Sequence, residues 1–442
     1  MKKIFKFAML FIAACTLTTS CSEDDNSNGG RIEEQNNAIK ELTTNYLNNV
    51  VYPTYTNLAK ECDNLYGLIS ALKQKLQNGT TVSQSDIDAI CDSYKKARNY
   101  WEESEAFLYG PASDFEIDPH IDTWPLDVET LAKDLAQDSK IAQLDAAESN
   151  GEARKYLTKE NLGFHGLEFI FFRNGANREV GIFNNDVTEN YTYKGVEYFK
   201  GMTVTGKEEV IFAAAVACDL RDKCYQLEVA WLGNKAPQAH ISRIAECAQK
   251  FDDFETTVSK NGLSYGEDML LAATSTSTYN SWKKVVEQLL VGGCSNICAE
   301  VADQKMGQAY RALSSSGTTY HEGEDGEQEE DDPDYIESPY SHNSYNDFYD
   351  NIVSIKNTLY GNIHGTAAGS TSILAYLQKY NSTMAAELLS KLNAALQSLQ
   401  ACKDSGQSFV ENPTATCVKD AMDAIGDLDS ALNEASAWIL RN

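Results

Sequence analysis

Proline is scarce in this chain. There are eight in 442 residues, with none between Pro125 and Pro237, between Pro237 and Pro333, or between Pro339 and Pro413. Proline inside a helix removes an N–H donor and clashes with the preceding turn, so these tracts leave room for long helices. Positive charge is short as well. Lys and Arg number 37 against 65 Asp and Glu, a net charge of −28, which excludes a surface built to track the phosphates of a nucleic acid. Beyond the N-terminus no apolar run approaches the roughly 18 residues needed to span a bilayer. A serine nucleophile elbow, a phosphate loop and a dinucleotide fingerprint are all missing. What the chain does hold is 42% hydrophobic and 10% aromatic residues, too many for a disordered polymer and enough, at this length, for two or three cores.

The N-terminus reads as an address and an anchor. Lys2, Lys3 and Lys6 precede an apolar stretch from Phe7 to about Leu17, too short to span and suited to a secretion signal. The ending Leu17-Thr18-Thr19-Ser20-Cys21 resembles a bacterial lipobox, which implies a signal peptide over 1–20 and a lipidated Cys21. The following Ser22-Glu23-Asp24-Asp25 resembles the surface-export signal of Bacteroides-type lipoproteins. A flexible linker over 21–34 and an extracytoplasmic body tethered to the outer membrane, exposed at its surface, are expected. The lipid is then the chain's only membrane contact. Removing residues 1–20 takes the charge to −31.

Cysteines in such a compartment are candidates for bridges. Cys402 and Cys417 lie almost equally far from the turn near residue 409, so they stand at one height on antiparallel neighbours and a disulfide is expected. Cys62 and Cys91 fail that test, being staggered by roughly 12 Å at 1.5 Å per residue, and read as buried thiols. Cys294 and Cys298 form a C-x3-C pair that by itself specifies little.

Periodicity predicts an all-α body. Val51, Tyr55, Leu58, Cys62, Leu65, Ile69, Leu72 and Leu76 recur at alternating spacings of four and three. Leu388, Leu392, Ala395 and Leu399 repeat the pattern, as do Val418, Ala421, Ile425, Leu428, Leu432, Ala435 and Ile439. Such stripes are the seams of helix bundles. Pro53 should kink or begin the first helix. Further helices are predicted at 84–109, 128–146, 154–173, 207–232, 238–260, 264–313 (broken near Gly292-Gly293), 345–360 and 370–402. Tyr191, Tyr193, Val196, Tyr198 and Phe199 around Lys194-Gly195 predict a small β-hairpin within 190–202. The turn Leu232–Pro237 divides two helix-bundle domains, 35–235 and 236–442. The second carries an acidic segment, 321–334, with nine carboxylates in fourteen positions. It reads as a solvated mobile loop, and its glycines lack the spacing of an EF-hand.

Three clusters carry the chemistry. In Gly163-Phe164-His165-Gly166-Leu167-Glu168 the imidazole and the carboxylate sit three residues apart on one helix face, so they can converge on one point. Such pairs ligate metals in bundle cores, and the apolar residues around them demand a partner for any buried charge. The plainer alternative is that His165 and Glu168 bond only each other and nearby backbone. The second cluster runs from Asp118 to Asp127 and offers His120, Asp122 and Trp124 to a cleft, with Asp127 or Thr123 as a helix cap. The third, Ser338-Pro339-Tyr340-Ser341-His342-Asn343-Ser344, is a turn before a helix that Ser344 or Asn343 would cap.

Gly163-x-His165-x-x-Glu168, preceded by Asp122-x-Trp124-Pro125-Leu126-Asp127, resembles the imelysin family. Ile297-Cys298-Ala299-Glu300-Val301-Ala302-Asp303-Gln304-Lys305-Met306-Gly307 and Ser341-His342-Asn343-Ser344 resemble its other recurrent segments. The resemblance runs from about residue 35 to the end. It implies paired helix bundles with the Gly-x-His-x-x-Glu segment near their junction. It also implies an extracytoplasmic lipoprotein linked to iron uptake, in a family named after a metallopeptidase. Gly166 stands where the family leads one to expect a residue such as Ala.

The expected function is a non-enzymatic component of metal acquisition. His165 and Glu168 would be two ligands for a divalent or ferric ion, iron or zinc, drawn from an iron source and passed to an envelope transport partner. Two ligands are too few, and His120, Asp122, Asp127, Glu300 or His342 would complete the shell. The alternative is a zinc peptidase, but the residue beside His165 is Gly166, not the Glu of an H-E-x-x-H helix, and no second His follows. A further alternative is a surface scaffold that binds a protein or a glycan.

Overall fold

The computed structural model describes residues 25–323 and 326–442, with backbone only for 25–29. The segment expected to be a signal peptide and Cys21 lie outside the described residues. The architecture is helical, with three two-stranded antiparallel hairpins. The principal helices are α1 (Asp25–Tyr46), α2 (Tyr52–Gln77), α3 (Gln84–Glu102), α4 (Gly163–Phe171), α5 (Gly206–Leu232), α6 (Ser344–Tyr360), α7 (Ser382–Lys403) and α8 (Thr416–Arg441). α1 thus extends into the segment expected to be a flexible linker. The apolar stripes of α2, α7 and α8 are buried as the periodicity requires, Leu76 alone being partly exposed. α2 packs against α3 and α5, α7 against α8, and α6 against both α7 and α3.

Pro53 begins α2 just after a wide, π-type turn at Leu47–Val51. It offers no N–H to the carbonyl of Asn49, and that carbonyl instead accepts from the Ile363 N–H at 3.2 Å. A segment more than three hundred residues further along the chain thereby uses a group that the proline set free. The stretch expected as one helix over 154–173 is two short 3-10 turns followed by the nine residues of α4. Similarly, 238–260 is helical only to Ala248, and 370–402 is interrupted at Asn381, whose side chain caps α7. Gly292-Gly293 does not break its helix. The run Trp282–Ser314 passes it in a π-type turn, and a second follows at Glu300–Lys305. That run is long and apolar enough by composition to cross a membrane, but more than half of its most apolar window is buried inside the protein, against α8 and residues 105–107.

The hairpin at 190–202 forms as the sequence indicates. Thr192 pairs with Glu197 and Tyr193 with Val196, around Lys194 and Gly195, both at positive φ. The acidic segment is more ordered than its charge suggested. Tyr320–Glu322 pairs with Gln328–Glu330, and Asp331 is held by Arg311 at 2.7 Å and His321 at 3.2 Å. Cys402 and Cys417 are free thiols, as are Cys62 and Cys91, so the expected bridge is not formed. The turn geometry does set the Cys402 and Cys417 side chains in contact, and burial followed by that contact pushes the Cys402 thiol up.

Candidate metal centre

α4 begins with a glycine for a steric reason. Gly163 has φ +66°, and a Cβ there would lie 1.9 Å from the carbonyl oxygen of Ile121. Only a bare backbone lets the start of α4 press against 118–122, which sets His165 Nε2 3.1 Å from Asp122 Oδ1. Gly166 is equally constrained, since its Cβ would stand 2.7 Å from the Asn161 carbonyl. The family's expected Ala at this position therefore does not fit here.

His165 and Glu168 are fully buried, and they are not satisfied by each other alone. Glu168 Oε1 accepts from the Tyr340 N–H (3.1 Å), the Ser341 N–H (2.8 Å) and the Ser341 hydroxyl (2.7 Å). Its other oxygen lies 3.5 Å from His165 Nδ1. Glu168 is thus a fixed orienting group, and the opposite edge of the imidazole faces Asp122 and Glu337. One ligand atom from each of Asp122, His165 and Glu337 lies within 4.8 Å of the others, and both ring nitrogens of His165 lack a well-formed hydrogen bond.

Buried cations stitch this group together. Arg98, from the core-facing side of α3, bonds Asp122 and Glu337 and lies 2.5 Å from Glu102 and 3.7 Å from Asp347. Trp101 Nε1 donates to the second oxygen of Asp122 at 2.7 Å. Lys305 reaches Glu102, Glu105, Glu300 and Glu337 at 3.4–3.9 Å. Against the cost of burial, Arg98 and His165 hold the Asp122 carboxyl well below the usual range. Despite its burial, His165 is raised to about 9 by Asp122 and Glu168. Burial, reinforced by Glu300 and Asp122, raises Asp118 to about 8, and burial pushes Glu102 and Glu105 well above the carboxylate range. The half-exposed Glu300 is where the group meets solvent, while the Asp122 side chain is buried. The group draws residues from both sides of Pro237.

The imelysin family model matches residues 51–435. The chain belongs to the imelysin family. Iron-regulated protein A of Synechococcus elongatus is 22% identical over 369 residues, covering 83% of this chain and 77% of that one. The crystal structure assigned as an iron-regulated protein A precursor from Parabacteroides distasonis superposes with a TM-score of 0.66 at 21% identity, over 91% of this chain and 95% of that one. It shares the fold. An imelysin-like protein from Psychrobacter arcticum gives 0.48 at 15% identity, over 89% and 93% of the two chains.

Within this imelysin fold, Asp122, Glu300 and Ser341 join His165 and Glu168, and Trp124 packs its ring 4.9 Å from that of His165. Three other candidates do not join. His120 pairs with Asp219 at 2.6 Å, beside Arg154. Asp127 caps the helix at 128–135 by accepting from the Thr130 N–H. His342, at φ +56°, packs over Gly175. Arg98, Glu102, Glu105, Glu337 and Asp347 escaped the sequence reading. A signal for two of them exists, because Arg98 and Glu102 continue the buried stripe Ile87, Cys91, Tyr94, and charge on an apolar stripe demands a partner.

These shifts set the pH profile of stability. Burial raises Glu103 and Asp118 to about 8, Glu209 and Asp347 to about 7 and Asp350 to about 6. Each such group binds more protons folded than unfolded above the ordinary carboxylate value, so its stabilisation declines as pH rises toward the folded value. His165 adds the same sign between its ordinary value and about 9. His120, lowered by burial, opposes them only below its ordinary value. The metal-free protein is therefore expected to melt at a lower temperature at pH 8.5 than at about pH 5. A melting midpoint that rises across that interval contradicts the assignment.

Proposed function

We propose that this imelysin-family chain is a binding component of iron acquisition that takes a polyvalent metal ion as cargo at Asp122, His165 and Glu337. The reading rests on one observation, the buried excess of negative charge. Eight carboxylates (Glu102, Glu105, Asp118, Asp122, Glu168, Glu300, Glu337 and Asp347) meet only Arg98, Lys305 and His165. A buried surplus of this kind is stabilised by protons or by a cation, and the two compete. The orphaned ring nitrogens and the Glu168 orienting contact fit an imidazole ligand held from behind by a carboxylate. The names of the relatives add the link to iron.

A zinc peptidase finds less support. The group contains one imidazole, and the remaining candidate base, Glu168, has one oxygen committed to three donors. Calorimetric titration with Fe²⁺, Fe³⁺ and Zn²⁺ tests the proposal. Binding should release protons, tighten from pH 6 to 8, and weaken about 100-fold or more in His165→Ala. Unchanged binding in that variant would remove the site.

The proposal includes the setting as well. Two bundles meeting near Pro237 hold the site, and a lipid on Cys21 holds the chain at the outer surface, where it hands its cargo to an envelope transporter. Radiolabelled palmitate should enter the wild-type protein and not Cys21→Ala. Equal labelling of both would sink the anchor.

A further inference from the structure

Lys305 is held in an unusual way. Its ammonium lies 3.4–3.9 Å from oxygens of four different carboxylates, Glu102, Glu105, Glu300 and Glu337. A charge-assisted hydrogen bond is about 2.7–2.9 Å long; Lys305 donates only a long one, to Glu337 Oε1 at 3.4 Å, and the other three carboxylates stand further off. Metal–oxygen bonds are shorter, about 2.0–2.6 Å, so the carboxylates would have to close in around an ion that took the place of the ammonium. Glu105 is 4% exposed, and its Oε2 has no hydrogen-bond partner. Glu337 Oε2, also buried, has no well-formed hydrogen bond, its one charged neighbour being the Lys305 ammonium at 3.4 Å. Leaving such oxygens unmet is costly in a protein interior. Glu102, Glu105 and Asp122 also bring one oxygen each within 4.8 Å of the others, independently of His165.

Backbone geometry makes the ammonium displaceable. Glu300 and Lys305 are the two ends of a π-type turn, whose five-residue spacing puts both side chains on one side. Glu300 has a half-exposed side chain, so the cage has an open edge beside the lysine stem. A flexible four-carbon stem can withdraw its charge along that edge, as the planar guanidinium of Arg98, held by several partners, cannot.

We propose that the carboxylates around Lys305 form a second cation seat, which shares Glu337 with the His165 seat as a bridging carboxylate, and that Lys305 is a tethered ammonium which fills it until a hard polyvalent ion displaces it. The inference rests on the cargo-binding reading above, and it adds the chemistry of the second seat. Its ligands are all oxygen, so it favours hard ions such as Mn²⁺, Ca²⁺ or Fe³⁺ over soft, sulfur- or nitrogen-seeking ones. Entry of the ion requires that the ammonium leave and that Glu102 and Glu105, which burial pushes well above the carboxylate range, give up their protons.

Equilibrium dialysis with Mn²⁺ on the full chain tests this, read together with the Mn²⁺ spin-resonance signal. The proteins are wild type, Lys305→Met, His165→Gln and the double variant. Lys305→Met should bind one more equivalent than wild type, or fill its second seat about tenfold or more tightly. The double variant should keep that equivalent, because the cage does not use His165. A folded Lys305→Met that matches wild type in both stoichiometry and affinity overturns the proposal. Loss of binding in His165→Gln is a separate reading: if it fails to appear, the His165 seat is refuted whatever Lys305→Met does. Should Lys305→Met not fold, its refolding yield with and without Mn²⁺ decides the matter. Recovery by Mn²⁺ supports the second seat, and no recovery overturns it.

Discussion

Arg98→Ala is expected to destabilise the protein more than any other single substitution around the metal centre, by about 3–5 kcal/mol. The guanidinium is fully buried and is shared among Asp122, Glu102, Glu337 and Asp347. Removing it does not merely delete favourable contacts. It leaves several carboxylates inside the protein without their principal counter-ion, and they must take up protons or draw in water. Its cation–π contact with Phe164, 5.3 Å from the ring centre, is lost as well. Arg98→Lys should recover part of the loss, because it restores the charge but not the fork that bridges two carboxylates. Denaturant unfolding near neutral pH measures both variants. A midpoint for Arg98→Ala equal to that of wild type would mean that the carboxylates around it are already neutral, and the charge account of the site would fall.

Gly163→Ala should disrupt the proposed metal site by a purely steric route. The added methyl carbon would lie 1.9 Å from the Ile121 carbonyl oxygen, backbone against backbone, and the residue would keep φ +66°. The left-handed conformation alone costs a non-glycine residue about 1–3 kcal/mol. The clash then forces 118–122 away from α4 and parts Asp122 from His165. Metal affinity should fall about 10–100-fold, the range seen when groups that orient a ligand are disturbed. Gly195→Ala is the control. It also has positive φ, but its Cβ would meet nothing within 4 Å. It should cost strain and leave binding unchanged. Equal losses of affinity in the two variants would show that general destabilisation, not the seating of Asp122, explains the result.

The residues themselves show how far the linear chain could be read. The stripe of α2 was legible because one helix face repeats every three or four residues, whichever partner covers it. Lys194-Gly195 was legible as a turn because a short hairpin favours positive φ at both positions. Local chemistry likewise gave Asp127 its capping role. Helix ends were harder. Nothing local says that 154–162 forms tight turns instead of a continuous helix, because that follows from where Asn161 and Leu162 must lie for α4 to reach Ile121. Cys402 and Cys417 were brought together by turn symmetry, while the redox state of the pair is not a property of spacing. His120, His342 and Asp122 looked alike as polar residues near a motif. Only Asp122 is carried to His165, by the glycine contact beneath it.

From its sequence alone this chain determined a helical body, the hairpin at 190–202, and the placing of His165 and Glu168 one turn apart. Those features depend on interactions between near neighbours, whose spacing is written in residue numbers. Tertiary structure alone decided that Arg98, Glu102 and Glu105 from one stretch meet Glu300, Lys305, Glu337 and Asp347 from another, more than two hundred residues away in most pairs. It also decided that Glu168 is held by Tyr340 and Ser341 while Asp122 and Glu337 lie near the other edge of His165. The physical reason is the range of the forces involved. A helix is specified within a turn or two, whereas a buried charge network exists only where packing excludes water and brings distant side chains to within a few ångströms of one another.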